Sequence, residues 1–169
     1  LGIVYHGVES GDDPTLQFID KGGTRAECIE TATKLKAADI IHSVIVLLGI
    51  GGTTRSTEHA RNTASLLTEM DPPFVGALTT TVVSNTPLAA AQESGAFALP
   101  PKFALLEELR IIIAESHLTQ CRFSSNHASN YLPLRSFLPR DKKQLLTVLD
   151  DVLAQRNEAH LKPEWLRGL

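Results

Sequence analysis

Apolar and polar positions change period repeatedly along this chain, and each change marks an element. Ile3 to Val8 has apolar residues on both alternating faces, which predicts a strand covered on both sides. Asp12 or Asp13 then caps a short helix, with Pro14 in its first turn and Leu16 and Ile19 turned inward. Thr24 with Glu27 three residues on is a capping box. It opens a helix whose Cys28, Ala32 and Leu35 share one face, ending near Ala38 and Asp39. The β-branched run Ile40 to Leu48 predicts a buried parallel strand, closed by Gly49-Ile50-Gly51-Gly52.

Ser56 is the expected cap of the next helix, with Ala60, Ala64 and Leu67 inward, and Asp71-Pro72-Pro73 stops it. Phe74 to Val83 predicts a third strand, followed by a turn and a short helix over 88–93. Pro100-Pro101 opens a helix burying Leu105, Leu109, Ile112 and Ile113. Cys121 to Phe123 is a weak strand signal, and Ser124 to Pro139 has no period. Asp141, with Gln144 three on, caps a last helix whose face is Leu145, Val148, Leu149 and Val152. The tail after Asn157 carries the only tryptophan, Trp165, and is expected to pack as a flap or hang free.

Alternating strands and helices predict the α/β class with a parallel sheet. An apolar first strand at the edge of so small a sheet would be exposed. The pattern therefore fits the C-terminal half of a partial (βα)6 TIM-like barrel, plus a C-terminal helical extension. Residues 1–119 are the expected half-barrel, and 120–169 the extension of loop, helix and tail. The first residue is Leu1 and the only methionine is Met70, so a piece of a longer protein is expected.

Composition narrows the function classes. A net charge of −3 removes any general electrostatic drive toward nucleic acid or anionic membrane. No apolar run reaches the ~18 residues of a spanning helix, and no signal-peptide pattern opens the chain. Cys28 and Cys121 alone make no disulfide framework, so reduced thiols and a cytoplasmic location are expected.

Candidate chemistry starts at Glu9, one residue past the first strand, and Lys21, beside two glycines. Strand ends of this kind carry the chemistry of α/β folds. Gly49 to Gly52 followed by Ser56 suggests a phosphate-binding turn, but lacks the full spacing of a nucleotide motif. His117, Cys121 and His127 match no standard zinc spacing, so no metal ligands are assigned. Neither a GxSxG elbow nor an HExxH motif occurs. His6 and His59 read as structural. His127, Asn130 and Tyr131 share an aperiodic loop, where function concentrates.

Taken together, these stretches resemble the radical SAM superfamily. "YHGVESGDDPTLQFIDKG" is similar to that family's fourth barrel strand and following helix. "HSVIVLLGIGGTTRSTEHARNTASLL" is similar to its fifth strand and glycine turn, and "FVGALTTTVVSNTPL" to its sixth strand. "FSSNHASNYLPLRSFLPRDKKQLL" resembles the C-terminal element of an iron–sulfur oxidoreductase branch, loosely related to oxygen-independent coproporphyrinogen oxidases and Elongator-like radical SAM proteins. The resemblance implies that Glu9 accepts from the ribose hydroxyls of S-adenosylmethionine. Lys21 would pair with the methionine carboxylate, and Gly49 would lie near the adenine. Related enzymes often carry an Asp where this chain has Ile45, and Ser43 is the substitute the resemblance suggests. His127, Asn130 and Tyr131 would shape the substrate mouth.

The CxxxCxxC loop that holds the family's [4Fe–4S] cluster does not occur in this sequence, and its ligands are expected upstream. The resulting expectation is a fragment of a radical SAM enzyme that, when complete, reductively cleaves S-adenosylmethionine for radical chemistry on an unknown substrate. This chain alone is expected to be inactive. Its expected partner is the missing N-terminal half of the barrel, or a second copy, at the first strand. The competing expectation is a non-catalytic half-barrel acting as a binding or assembly module. A third and weaker one is a small phosphate-ligand enzyme using Gly49 to Ser56.

Overall fold

A computed structural model describes residues 2–168. Strands β1 (Ile3–Glu9), β2 (Ile41–Leu48), β3 (Phe74–Thr79) and β4 (Cys121–Ser124) are parallel neighbours in chain order. Strand β5 (Arg135–Leu138) joins β4 antiparallel. The helices α1 (Asp13–Phe18) and α2 (Arg25–Ala37) follow β1, and α3 (Gly52–Met70) follows β2. Next come α4 (Pro87–Glu93) and α5 (Lys102–Glu115) after β3, and α6 (Lys142–Gln155) after β5.

Parallel neighbours joined by right-handed crossovers place their connecting helices on one face of the sheet. Burial follows that rule. Val44, Val46 and Leu48 of β2 and Val75, Ala77 and Thr79 of β3 are buried, while Ser43, Ile45, Leu47, Phe74, Gly76 and Leu78 between them are half-buried. The chain is thus an α/β fold with a five-stranded, mostly parallel sheet, helix-covered on one face and open on the other. That arrangement is consistent with a partial TIM-like barrel, in which the open face would be the barrel interior. The core lies under the covered face, where Ala60, Ala64, Leu66 and Leu67 of α3 meet Leu105, Leu109, Ile112 and Ile113 of α5.

Local signals placed several ends well. Asp12 caps α1 by accepting from the Thr15 N–H at 3.2 Å, and the Thr24–Glu27 capping box of α2 is formed in both directions. Elsewhere long-range contacts moved the boundaries. α3 begins at Gly52, four residues before Ser56, whose hydroxyl donates to Glu108 (2.6 Å) and caps no helix. β3 stops at Thr79 and does not reach Val83, because its partner β2 ends at Leu48, which pairs with Thr79. Ser129 and Asn130 take over the polar groups there: the Thr79 N–H donates to Ser129 Oγ (3.1 Å), and Asn130 Nδ2 donates to the Ala77 carbonyl (2.8 Å).

β5 lies inside the stretch that showed no period, since four residues are too few to display one. Asp141 makes no side-chain cap at α6, because its carboxylate accepts from the Phe137 N–H and Arg140. Val148, expected on the buried face of α6, is exposed. The tail is docked. The Lys162 N–H donates to the Tyr131 carbonyl (2.8 Å), and the Arg167 guanidinium lies over the Tyr131 ring at 4.1 Å. Trp165 nevertheless stays exposed. No helix among the described residues is long and apolar enough to cross a membrane.

Candidate functional site at the carboxyl end of the sheet

Glu9 owes its position to an irregularity in β1. Gly7 pairs with Ile45 and Glu9 with Val46, so Val8 is an extra residue in the strand. Glu9 itself adopts a left-handed backbone, with φ 64°. Its side chain folds back over Gly7, where a Cβ would collide with the carboxylate. That makes glycine the fitting residue at position 7. Lys21 follows the short α1, and its N–H donates to the Leu16 carbonyl at 3.0 Å. Its Nζ reaches Glu9 Oε1, also at 3.0 Å. Both groups remain partly exposed, and Gly7 and Lys21 border a hollow of about 400 Å³ beside β1.

Directly behind Glu9 lies a buried polar brace. The Ser10 hydroxyl donates to His59 Nδ1 at 2.7 Å, because His59 Nε2 must carry the proton it donates to the Leu47 carbonyl at 3.0 Å. Glu108 Oε2 sits 3.9 Å from that Nε2. It accepts from the Gly49 N–H at 2.6 Å, while its other oxygen accepts from Ser56. Burial pushes Glu108 up to about 7, against the pull of the Ser56 hydroxyl and the Gly49 N–H. Burial also lowers His59 to about 4, opposed by the Leu47 carbonyl and Asp12. Hydroxyl, imidazole and carboxylate stand in the order of a nucleophilic triad. Ser10 is fully buried, however, so no substrate reaches it, and the chain acts as a strut between the ends of β1 and β2.

Asp12 completes the strut. This buried carboxylate accepts from Thr15, from Arg55 Nε and a terminal guanidinium nitrogen (2.8 and 2.9 Å), and from Asn62 (2.8 Å). Burial alone raises such a group, but the bonds from Arg55, Thr15 and Asn62 outweigh it and hold the carboxyl well below the usual range.

The structure separates the residues that the sequence grouped. Gly49 is buried, with φ 84°. A Cβ there would lie 2.6 Å from Leu105 Cδ2, so Gly49 shapes the turn and does not border an opening. Gly49→Ala is expected to lower stability by about 2–5 kcal/mol, the sum of a left-handed penalty and overpacking, read from urea unfolding. Ser43 pairs with Tyr5 and Phe74 and so lies on the open face three residues short of Val46, the partner of Glu9. At ~3.3 Å per residue that is about 10 Å along the strand. Of the three loop residues only His127 is exposed. Asn130 is buried against β3, and the Tyr131 hydroxyl donates to Glu164 at 2.7 Å. Burial raises Tyr131 to about 12.

The chain matches no protein-family model and no curated protein sequence. What stands at this site is therefore read from its own geometry. A solvent-reachable carboxylate and ammonium can bind a ligand carrying hydroxyls and an anionic group. Among the described residues no cluster of three or more His, Cys, Asp or Glu is placed to hold a metal. Cys28 on α2 and Cys121 on β4 are both buried free thiols, pushed up by burial, Cys121 to about 12. Sequence reasoning missed Glu108. A single polar position on the otherwise apolar face formed by Leu105, Leu109 and Ile112 was the available signal.

Proposed function

We propose that this chain is the C-terminal half-barrel of a radical SAM enzyme in which Glu9 and Lys21 hold S-adenosylmethionine. The supporting observation is their placement. A carboxylate and an ammonium stand together at the carboxyl end of the outermost strand of an open half-barrel, braced from behind by Ser10, His59 and Glu108. Glu9 suits two ribose hydroxyls, and Lys21 suits the methionine carboxylate. On binding, both groups would exchange their mutual ion pair for the ligand. Such an exposed pair stabilises the fold little, so giving it up costs little. A [4Fe–4S] cluster does not fit the thiols of this chain, which sit apart on α2 and β4. Its ligands would come from another segment.

Calorimetric titration of the chain with S-adenosylmethionine tests the reading. Glu9→Ala and Lys21→Ala should each weaken binding by about 10–100-fold, the worth of a charge-assisted hydrogen bond. Unchanged affinity in both variants would remove the proposal.

One observation favours a second reading, a half-barrel that serves assembly. Among the described residues nothing pairs with the outer edge of β1, and Tyr5 on that strand is exposed. A homodimer joined at β1 would support it, and a stable monomer by light scattering would count against it.

A further inference from the structure

The nine arginines of this chain are not used alike. Seven pair with a carboxylate. The two without such a partner among the described residues, Arg122 and Arg135, border the same hollow of about 650 Å³ on the open face of the sheet. That volume lies within the range of small-molecule sites.

Strand register explains how the hollow is built. Ser43, Phe74, Arg122 and Phe137 form one row across β2 to β5. Ile45, Gly76, Ser124 and Arg135 form the next row on the same face. Arg122 and Arg135 are therefore diagonal neighbours across an antiparallel pair, about 7–8 Å apart at the backbone. Arg135 donates from Nε and one terminal nitrogen to the Asn126 amide oxygen, and its remaining N–H groups can converge with Arg122 on one anion at that spacing. The Arg122 guanidinium lies 5.5 Å from the centroid of Phe137, which holds it toward the hollow. Arg140 reaches the same ring at 5.4 Å, but its charge is matched by Asp141. The hollow thus keeps two unmatched positive charges in a chain of net charge −3.

Gly76 supplies the space. It stands beside Phe74 and Ser124, and a Cβ there would meet nothing nearer than Leu78 Cδ1 at 3.9 Å. No positive φ requires glycine at this position. Its absent side chain leaves an opening with the Phe74 ring at its side, and Ser43 and Ser124 offer hydroxyls at the rim.

We propose that this hollow binds a phosphate monoester carried on a flat ring, of the kind a nucleoside monophosphate presents. The phosphate bridges Arg122 and Arg135, since guanidiniums match phosphate oxygens in paired hydrogen bonds. The ring lies over Gly76 against Phe74. The free small molecule is favoured over a nucleic-acid end, because an extended polyanion needs a row of phosphate contacts that an acidic chain does not provide. This site is separate from Glu9 and Lys21, and either can fail without the other.

The test titrates the chain calorimetrically with AMP, adenosine, inorganic phosphate and a 5′-phosphorylated single-stranded oligonucleotide. AMP should bind at least tenfold tighter than each of the other three. Arg122→Glu and Arg135→Glu should each weaken AMP at least tenfold, and Gly76→Leu, which fills the opening without a backbone clash, should abolish binding. Arg61→Glu, at a remote surface, should change nothing. Circular dichroism and the melting midpoint verify that each variant is folded, and amide shifts of the unsubstituted chain on adding AMP should centre on β3 to β5. No AMP binding at millimolar concentration, phosphate binding as tightly as AMP, tighter oligonucleotide binding, or an unaffected Gly76→Leu variant would each overturn the proposal.

Discussion

Asp12→Ala is expected to destabilise the protein by about 3–5 kcal/mol, the range found when one partner of a buried charge pair is removed. The carboxylate is 1% exposed and is a shared acceptor for the start of α1 and one side of α3. Its loss strands the Thr15 and Asn62 donors and frees Arg55. Arg55 is 40% exposed and can turn to water, which places the expected value near the lower end. At 2–4 °C per kcal/mol for a chain of this size, the melting midpoint should fall by about 6–12 °C. A fall of only a degree or two would show that Asp12 is not the acceptor these contacts describe. Arg55→Ala alone should cost less, because Asp12 keeps Thr15 and Asn62.

Glu108→Gln should change how stability depends on pH. Glu108 has an ordinary value of 4.5 and is raised to about 7 in the fold. Between those values the folded protein binds a proton that the unfolded chain has released, so stability from this group is present below pH 4.5 and lost as pH rises through 7. At 1.36 kcal/mol per unit the loss is about 3 kcal/mol. His59 acts in the opposite sense. Lowered from 6.5 to about 4, it contributes stability that is gained as pH rises from 4 to 6.5. The two slopes oppose each other across one 3.9 Å contact.

Glutamine keeps the shape and can still accept from the Gly49 N–H, while Ser56 turns its hydroxyl to accept. The variant should therefore gain about 3 kcal/mol on the unsubstituted protein between pH 4 and pH 8. Urea unfolding at both values measures this, and parallel profiles for the two proteins would refute it.

Much of the fold was legible because its signals are local. The caps at Asp12 and Thr24 act over three residues, and the apolar runs of β1 and β2 need fewer than ten. Position along the chain also suggested Glu9 and Lys21, twelve residues apart, and the structure brings them to 3.0 Å. The strut behind them was not legible. Ser10 and His59 are separated by 49 residues, and Gly49 and Glu108 by 59, so no period links them. Asn130 and Tyr131 looked like loop residues open to a ligand. Their burial depends on β3 and on the returning tail, neither of which their own neighbourhood encodes.

The sequence by itself determined the α/β class, the order of the elements apart from β5, and the carboxylate at the end of the first strand. Binary pattern and capping chemistry act within a turn or two of backbone, and these features need nothing more. Only the tertiary structure decided which polar groups became buried struts and which remained open to a ligand. A glutamate on a helix or an arginine on a short strand has the same local sequence in either role. What distinguishes Glu108 from Arg122 is the partner that packing brings to one and withholds from the other.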